Sequence, residues 1–500
     1  MTAQPPATQP PTAEARTGDR TTLERSLKPQ WVWAVALGSA IGWGAFVLPT
    51  DWMATAGPLG TIIGLSVGAA LMCLIAVSYG FLIRTFPVSG GEYAYAYTAF
   101  GRLHAYICGW FLTLGYTSIV ALNASALALL FRRMVPWVVE WVPLWEIAGW
   151  QVYLGEVVVA SLALVLFAVF NVLGTTLSGR MQFVFCLIML AAVALLLIGV
   201  LVHPGASLGN LVPGFPDGAV PLSATLAIVA IAPWAFVGFD NVPQAAEEFD
   251  FAPSKAFGLI ILAIIAAAGI YVAMVLATGA AGPWTELVAG EPVWGTADRM
   301  AGLFGPIGLL ALAVGVAMGV FTGLNGFFIS ASRLLFAMGR AHTIPSVFAK
   351  VHPRTGTPTV AIWFVAAVCL VAPWFGREAL VWVVDMSSVG VTIAYTYTCL
   401  AAFRMFRLSG APERPGEPEG VRSTVKKVMS GVGALVGVGF FLLLMTPGSP
   451  AQLGIPSLVA LGVWVVLGAI FFLWHRARQT TRLTDQEMDH LVLGEHRQTV

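Results

Sequence analysis

The sequence predicts an all-helical integral membrane protein, and three observations carry that expectation. Of 500 residues, 58% are hydrophobic and only 10% charged, with a mean hydropathy of +0.83. Soluble domains carry about 25% charge, and so few ions would not cover a soluble surface. Apolar runs of about 18 residues or more, each able to cross a hydrocarbon core of roughly 30 Å, recur from end to end. Lys and Arg fall almost wholly on one set of the intervening loops.

The runs lie at about 31–56, 59–83, 101–131, 152–173, 177–202 and 222–246, then at 256–280, 303–339, 358–375, 379–403, 428–447 and 453–475, giving twelve expected transmembrane helices. The third and eighth exceed what a bilayer needs, which tilt absorbs, and Gly315, Gly319, Gly323 and Gly326 predict close helix packing in the eighth. Before the first run, residues 1–30 are Pro/Thr/Ala-rich and predict a disordered cytoplasmic tail. Residues 31–475 form the membrane domain, and 476–500 a second cytoplasmic tail. Loops near 203–221, 280–302 and 404–427 are too short for a further domain. With both termini inside, 22 of the 26 basic residues face the cytoplasm, and Arg132, Arg133, Arg299 and Arg377 are left outside. That bias requires an even number of spans.

Several function classes fall away. A net charge of +1 argues against a nucleic-acid partner. Cys73, Cys108, Cys186, Cys369 and Cys399 sit inside apolar runs and read as small core residues. His104, His203, His342 and His352 are scattered near span ends, no pair has metal-ligand spacing, and no phosphate loop occurs. The expectation is therefore no metal, no cofactor, no enzyme and no ATP-driven pump. Repeated filter sequences and rings of pore charges, as a channel would need, are absent from the sequence.

Two runs carry interruptions that are costly in hydrocarbon. Gly38-Ser39-Ala40-Ile41-Gly42-Trp43-Gly44-Ala45-Phe46 places three glycines within seven residues of the first span, and Gly238-Phe239-Asp240-Asn241-Val242-Pro243 cuts the sixth. Backbone groups freed there find no water, so such breaks survive where they line a cavity. Paired breaks in the two halves of a chain point to a transporter's substrate site.

The glycine run resembles the first-helix signature of the amino acid-polyamine-organocation permeases, G-x-I-I-G-S/T-G-I/V-F. Pro87-Val88-Ser89-Gly90-Gly91-Glu92-Tyr93-Ala94-Tyr95 is similar to the family's loop between helices two and three. Gly323-Leu324-Asn325-Gly326, followed by Ser332-Arg333-Leu334-Leu335-Phe336-Ala337-Met338, resembles its eighth helix. His352-Pro353-Arg354-Thr355-Gly356-Thr357-Pro358 resembles the loop before its ninth. The resemblance implies the leucine-transporter-type fold: a 5+5 inverted repeat, with repeat one at about 31–202 and repeat two at about 222–405, broken helices 1 and 6, and two appended helices at about 428–475. It further implies a secondary active transporter in the cytoplasmic membrane, with a small-molecule substrate expected to be a neutral amino acid and a proton or sodium as coupling partner, or substrate exchange. The runners-up are an amine or polyamine permease and a transport-inactive sensor.

Site expectations follow from the breaks. Unwound backbone at Ser39, Ala40, Ile41, Gly42, Trp43 and Gly44 offers N–H groups to a carboxylate. Carbonyls near Ala230 to Phe236, with Phe236 and Gly238 at the second break, can receive an ammonium. Trp43 stands where the family usually has a small residue; its indole either fills part of the pocket or packs on a neighbouring helix. Trp234 matches the position where the family places a gating aromatic. Asp240, an acid at the break, is expected to serve the substrate, an ion or a proton, the alternative being a cap on freed N–H groups. Asp51, and Ser330 with Ser332, are the other coupling candidates. No lysine occurs in the fifth span, where Met189 takes the place of the family's coupling lysine. Glu247 and Glu248 are expected to steady a gate with Lys255.

Overall fold

The computed structural model describes residues 20–147, 149–376, 378–408, 421–478 and 483–494. Most of the first predicted tail, part of the second, half of the 404–427 loop, and Arg16, Arg377, Arg414, Arg482 and Arg497 from the orientation count lie outside the described residues.

Helix α1 (Pro29–Ile41) starts on a proline, whose missing N–H would be unpaired there anyway, and stops at Gly42 with φ 50°. A single turn, α2 (Gly44–Val47), leads into α3 (Pro49–Thr85), which bends sharply at Gly57 (φ 66°) before Pro58. The first expected span therefore ends, and the second begins, inside α3. Next come α4 (Gly91–Phe100), α5 (Arg102–Met134), the turn α6 (Pro136–Val139), an antiparallel hairpin of β1 (Pro143–Ile147) and β2 (Trp150–Tyr153), then α7 (Leu154–Val172) and α8 (Thr175–Val202). The hairpin departs from the all-helical expectation.

The sixth expected span is in fragments: α9 (Pro221–Ala230), α10 (Ala232–Ala235) and α11 (Asn241–Gln244). Beyond it lie α12 (Ala256–Ala280), α13 (Trp284–Ala289), α14 (Gly295–Arg340), α15 (Thr359–Cys369), α16 (Glu378–Leu408), α17 (Val421–Met445), α18 (Ile455–Arg478) and α19 (Asp485–Leu493). Among the described residues nine helices are long and apolar enough to cross a membrane. The other three of the twelve expected spans, the first, sixth and ninth, begin with helices of only 13, 10 and 11 residues. In the first and sixth the shortening is the break itself.

Burial separates the inner helices from those that meet lipid. The apolar window of α5 is 89% buried, whereas that of α18 is only 11% buried, and α8 leaves Val184, Leu187, Leu195 and Ile198 exposed. Helices that are apolar all round yet uncovered fit a hydrocarbon solvent. Within the predicted disordered tail, the chain from Arg20 is packed. Leu23 and Leu27 are buried, and the N–H groups of Ser26 and Leu27 both donate to Glu248 O at 2.9 Å. The far tail is partly built too. A capping box of Thr484 and Glu487 starts α19, which buries Met488, Val492 and Leu493 and accepts a bond from Tyr97 Oη at Asp489 (2.7 Å).

Candidate functional site

The two breaks meet. At Gly238 (φ 134°) an added Cβ would lie 2.5 Å from Ala40 N and 2.8 Å from Ser39 C, so only glycine lets the backbones approach this closely. From α12, the buried Tyr271 Oη reaches the freed carbonyls of both, Ala40 O at 2.7 Å and Ala235 O at 2.5 Å. Asp240 turns back on its own break: its carboxylate accepts from Gly238 N (2.7 Å) and from Tyr116 Oη (3.0 Å).

The glycine face of α14 backs this junction. A Cβ at Gly319 would lie 1.9 Å from Gly42 O, one at Gly326 1.9 Å from Ser39 Oγ, and one at Gly323 2.6 Å from Asn123 Oδ1. Small residues there, predicted from their spacing, make room for the unwound chain. Around the same junction Ser39 Oγ, Asn123 Oδ1 and both amide atoms of Asn241 are buried without a hydrogen-bond partner. An unmade bond on a buried polar group costs about 1–3 kcal/mol, so these neutral groups are poised for a polar ligand.

Above the junction Trp43 and Trp234 meet edge to face, with ring centroids 6.4 Å apart. They floor a cavity of about 810 Å³ that also borders Asp51, Trp52, Trp294 and Val316. Its rim carries two ion pairs, Arg133 with Asp298 (2.9 Å) and Arg132 with Glu140 (3.1 Å). The opposite end, where α5 begins and α14 finishes, is sealed. There Arg333 holds Glu248 at 2.8 Å with both side chains 1% exposed, and Thr175 Oγ1 donates to the same carboxylate at 2.6 Å. Glu247 accepts from Arg340 (3.0 Å), Arg20 (3.4 Å) and the N–H groups of Leu23 (3.2 Å) and Ser89 (3.1 Å). Burial works against the Glu247 charge, but Arg340 and Arg20 outweigh it and hold its carboxyl below the ordinary value.

The candidates thus divide. Trp43 and Trp234 border the open cavity, as does Asp51, while Ser39, Ala40, Ile41, Gly44, Phe236, Gly238 and Asp240 are buried and do not line it. Gly42 is partly covered at the edge. Ser330 and Ser332 sit on α14 and donate to their own helix, at Gly326 O (3.1 Å) and Phe328 O (2.7 Å). Neither Glu247 nor Glu248 pairs with Lys255, as expected above; both are taken by arginines that fold over from α14. Asn123, Asn241 and Tyr271 went unremarked in the sequence as site residues. An asparagine inside an apolar span was the available signal for the first. Met189 is buried in α8, and Gln182, two turns earlier, performs a bridging role: its Nε2 donates to Ala34 O and Thr322 O, both at 3.1 Å, tying α1 to α14.

A profile of amino acid permeases matches residues 30–472, spanning both breaks and the α14 face. The chain belongs to the amino acid permease family. Similar to this permease are the methylthioribose transporter of Bacillus subtilis, 26% identical over 474 residues, covering 91% of this chain and 94% of the relative, and the branched-chain amino acid permease BcaP of the same organism, 26% identical over 474 residues with 92% and 95% covered. The L-asparagine permease 1 of Mycobacterium tuberculosis is 27% identical over 413 residues, covering 79% of this chain and 80% of the relative. The permease is a multi-pass membrane protein of the amino acid-polyamine-organocation superfamily.

Proposed function

We propose that this permease is a secondary active carrier that moves a neutral amino acid across the cytoplasmic membrane by alternating access, and that the conformation described is outward-facing. One observation carries the reading: two broken helices abut at glycines, ringed by buried neutral polar atoms without partners, under a tryptophan lid. A zwitterion placed there would give its carboxylate to the N–H groups of the first break and its ammonium to carbonyls of the second. Neither break presents a free charge to the cavity, since Asp240 is engaged as a cap, and this favours a substrate of zero net charge. Counting the interrupted helices, the element order supports twelve spans arranged as two groups of five and a final pair, and the Lys and Arg excess on one set of loops favours both termini in the cytoplasm. Trp234 serves as the gate. Coupling to protons, or substrate exchange, fits better than sodium, because Ser332 Oγ already accepts from the Arg333 guanidinium, a cation that would repel another.

A second reading, a small neutral molecule without a carboxylate, draws on Trp43 and on the amide and hydroxyl character of the cradle, and suits the kind of ligand named for the methylthioribose transporter. Thermal-shift measurements with leucine, asparagine, methylthioribose and putrescine separate the readings, since a ligand at 100 times its Kd adds about 2.7 kcal/mol of stability. Stabilisation by leucine or asparagine, followed by counterflow of the labelled compound in proteoliposomes, is the expected result. Stabilisation only by methylthioribose selects the second reading, and only by putrescine an amine permease. Binding without counterflow would make the protein a sensor.

A further inference from the structure

Beneath the junction, toward the sealed end, lies a second buried carboxyl that the proposed site does not use. Gly90 and Gly91 carry positive φ (94° and 36°), and a Cβ on them would meet Ala337 at 2.4 Å and Pro243 at 2.9 Å. This tight turn drives Glu92 into the bundle, where it is 0% exposed. Oε1 accepts from Tyr79 Oη at 3.0 Å and Oε2 from Gln244 Nε2 at 2.5 Å. The ring of Tyr79 packs on Phe239 and Tyr395, which places Glu92 and Asp240 in one aromatic cage where their charges repel.

Two negative charges in such a cage have nothing to balance them. The titratable groups that face Glu92 are Tyr95 from its own helix, Tyr79 from α3, Cys108 and Tyr116 from α5, Tyr395 from α16, and Asp240. None is a base. Among the described residues neither carboxyl has an ion-pair partner, because the nearby arginines are held by Glu247 and Glu248. An isolated buried carboxylate neutralises itself by taking a proton rather than bear the cost of desolvation. The first turn of α4 favours a negative charge, but by a fraction of that cost.

The hydrogen bonds favour Glu92 as the carboxyl that takes the proton. Asp240 accepts from the Gly238 N–H, which can only donate and so favours the charged form there. The two side chains that Glu92 faces can both reverse. Tyr79 can turn its hydroxyl to accept, and Gln244 carries a buried Oε1 that has no partner. Turning the Gln244 amide over presents that oxygen to Oε2–H of a neutral Glu92, an O–H···O bond for which the short contact is an ordinary length.

We infer that Glu92, held between Tyr79 and Gln244, is a proton-binding site that carries a proton while this end of the permease is closed. Opening would draw Gln244 on α11 away from Glu92 on α4 and admit water, and the proton would leave from Oε2 to that water. This release step rests on the alternating-access reading, whereas proton binding does not.

Infrared difference spectroscopy on the purified permease in lipid nanodiscs, with no substrate added, tests it independently of what is carried. The neutral-acid C=O stretch should be present at about pH 7 in the wild type, vanish in Glu92→Gln, and persist in Asp240→Asn. It should shift in Tyr79→Phe, which removes one hydrogen bond from a neutral carboxyl. The inference is overturned if the wild type shows no such band, if the band survives Glu92→Gln, or if it is lost in Asp240→Asn. Should Glu92→Gln fail to fold, Tyr79→Phe decides alone, and an unmoved band rejects the site.

Discussion

Ion pairs cross both ends of the bundle, but they are of different kinds. At the cavity rim Arg133 and Asp298 are 47% and 46% exposed, so water screens them and each could be lost singly with little effect. At the sealed end Arg333 and Glu248 are 1% exposed, and removing either strands a charge in a dry bundle. A carrier whose ends differ this way yields easily at the rim and resists at the seal. On the alternating-access reading, the seal opens with Arg333 and Glu248 still paired, so the segment that carries Glu248 moves together with this part of α14.

The largest test of that contrast is Glu248→Gln, which leaves Arg333 buried without a counter-charge and should cost about 3–5 kcal/mol in detergent unfolding. Exchanging both residues for methionine should restore most of the loss, and a single-mutant cost below about 1 kcal/mol would erase the distinction between the ends. Next is Gly42→Leu. Its φ of 50° disfavours any side chain, and the substituent would fill the approach to the first break. Ligand-induced thermal stabilisation should vanish while the protein still inserts; wild-type affinity in a folded mutant would remove the junction as the site. Trp234→Ala should then weaken binding or slow uptake roughly tenfold, about 1.4 kcal/mol, with unchanged uptake assigning the ring to packing alone. At the small end of the scale Asp298→Asn should change stability by about 1 kcal/mol or less.

Acid sharpens the same contrast. Because the folded Glu247 carboxyl titrates below its unfolded value of about 4.3, its clasp stabilises the folded protein above that value, and the contribution is lost as pH falls through the lower folded value. Limited proteolysis of the segment around Leu23 should accelerate below about pH 4 and not between about pH 5 and 8. Acceleration in the neutral range would show that another group holds the segment.

Much of this architecture was legible in the sequence. Gly42 and Gly238 announced both breaks, because freed backbone in lipid has so few uses, and the α14 glycines announced the face that receives the first. Other features were hidden for physical reasons. Tyr271 lies in an otherwise apolar helix, where a tyrosine reads as bulk, and only the fold brings its hydroxyl to two carbonyls from distant parts of the chain. The partners of Glu247 and Glu248 were misjudged for a similar reason: Lys255 is near in sequence, whereas Arg333 and Arg340 lie some ninety residues on and are brought close by α14. Part of a tail that reads as disordered is pinned from Arg20 onward by bonds to those same glutamates.

Tyr271 is a study in scarcity. Its hydroxyl carries a single hydrogen, yet it stands within bonding distance of Ala40 O on one broken helix and Ala235 O on the other. It can serve only one of them fully at a time, so this single hydroxyl cannot give both breaks a whole bond. On the reading proposed above, an ammonium arriving at the breaks brings the further donors that one phenol lacks. The junction is thus a place where a donor-bearing guest relieves a shared hydrogen.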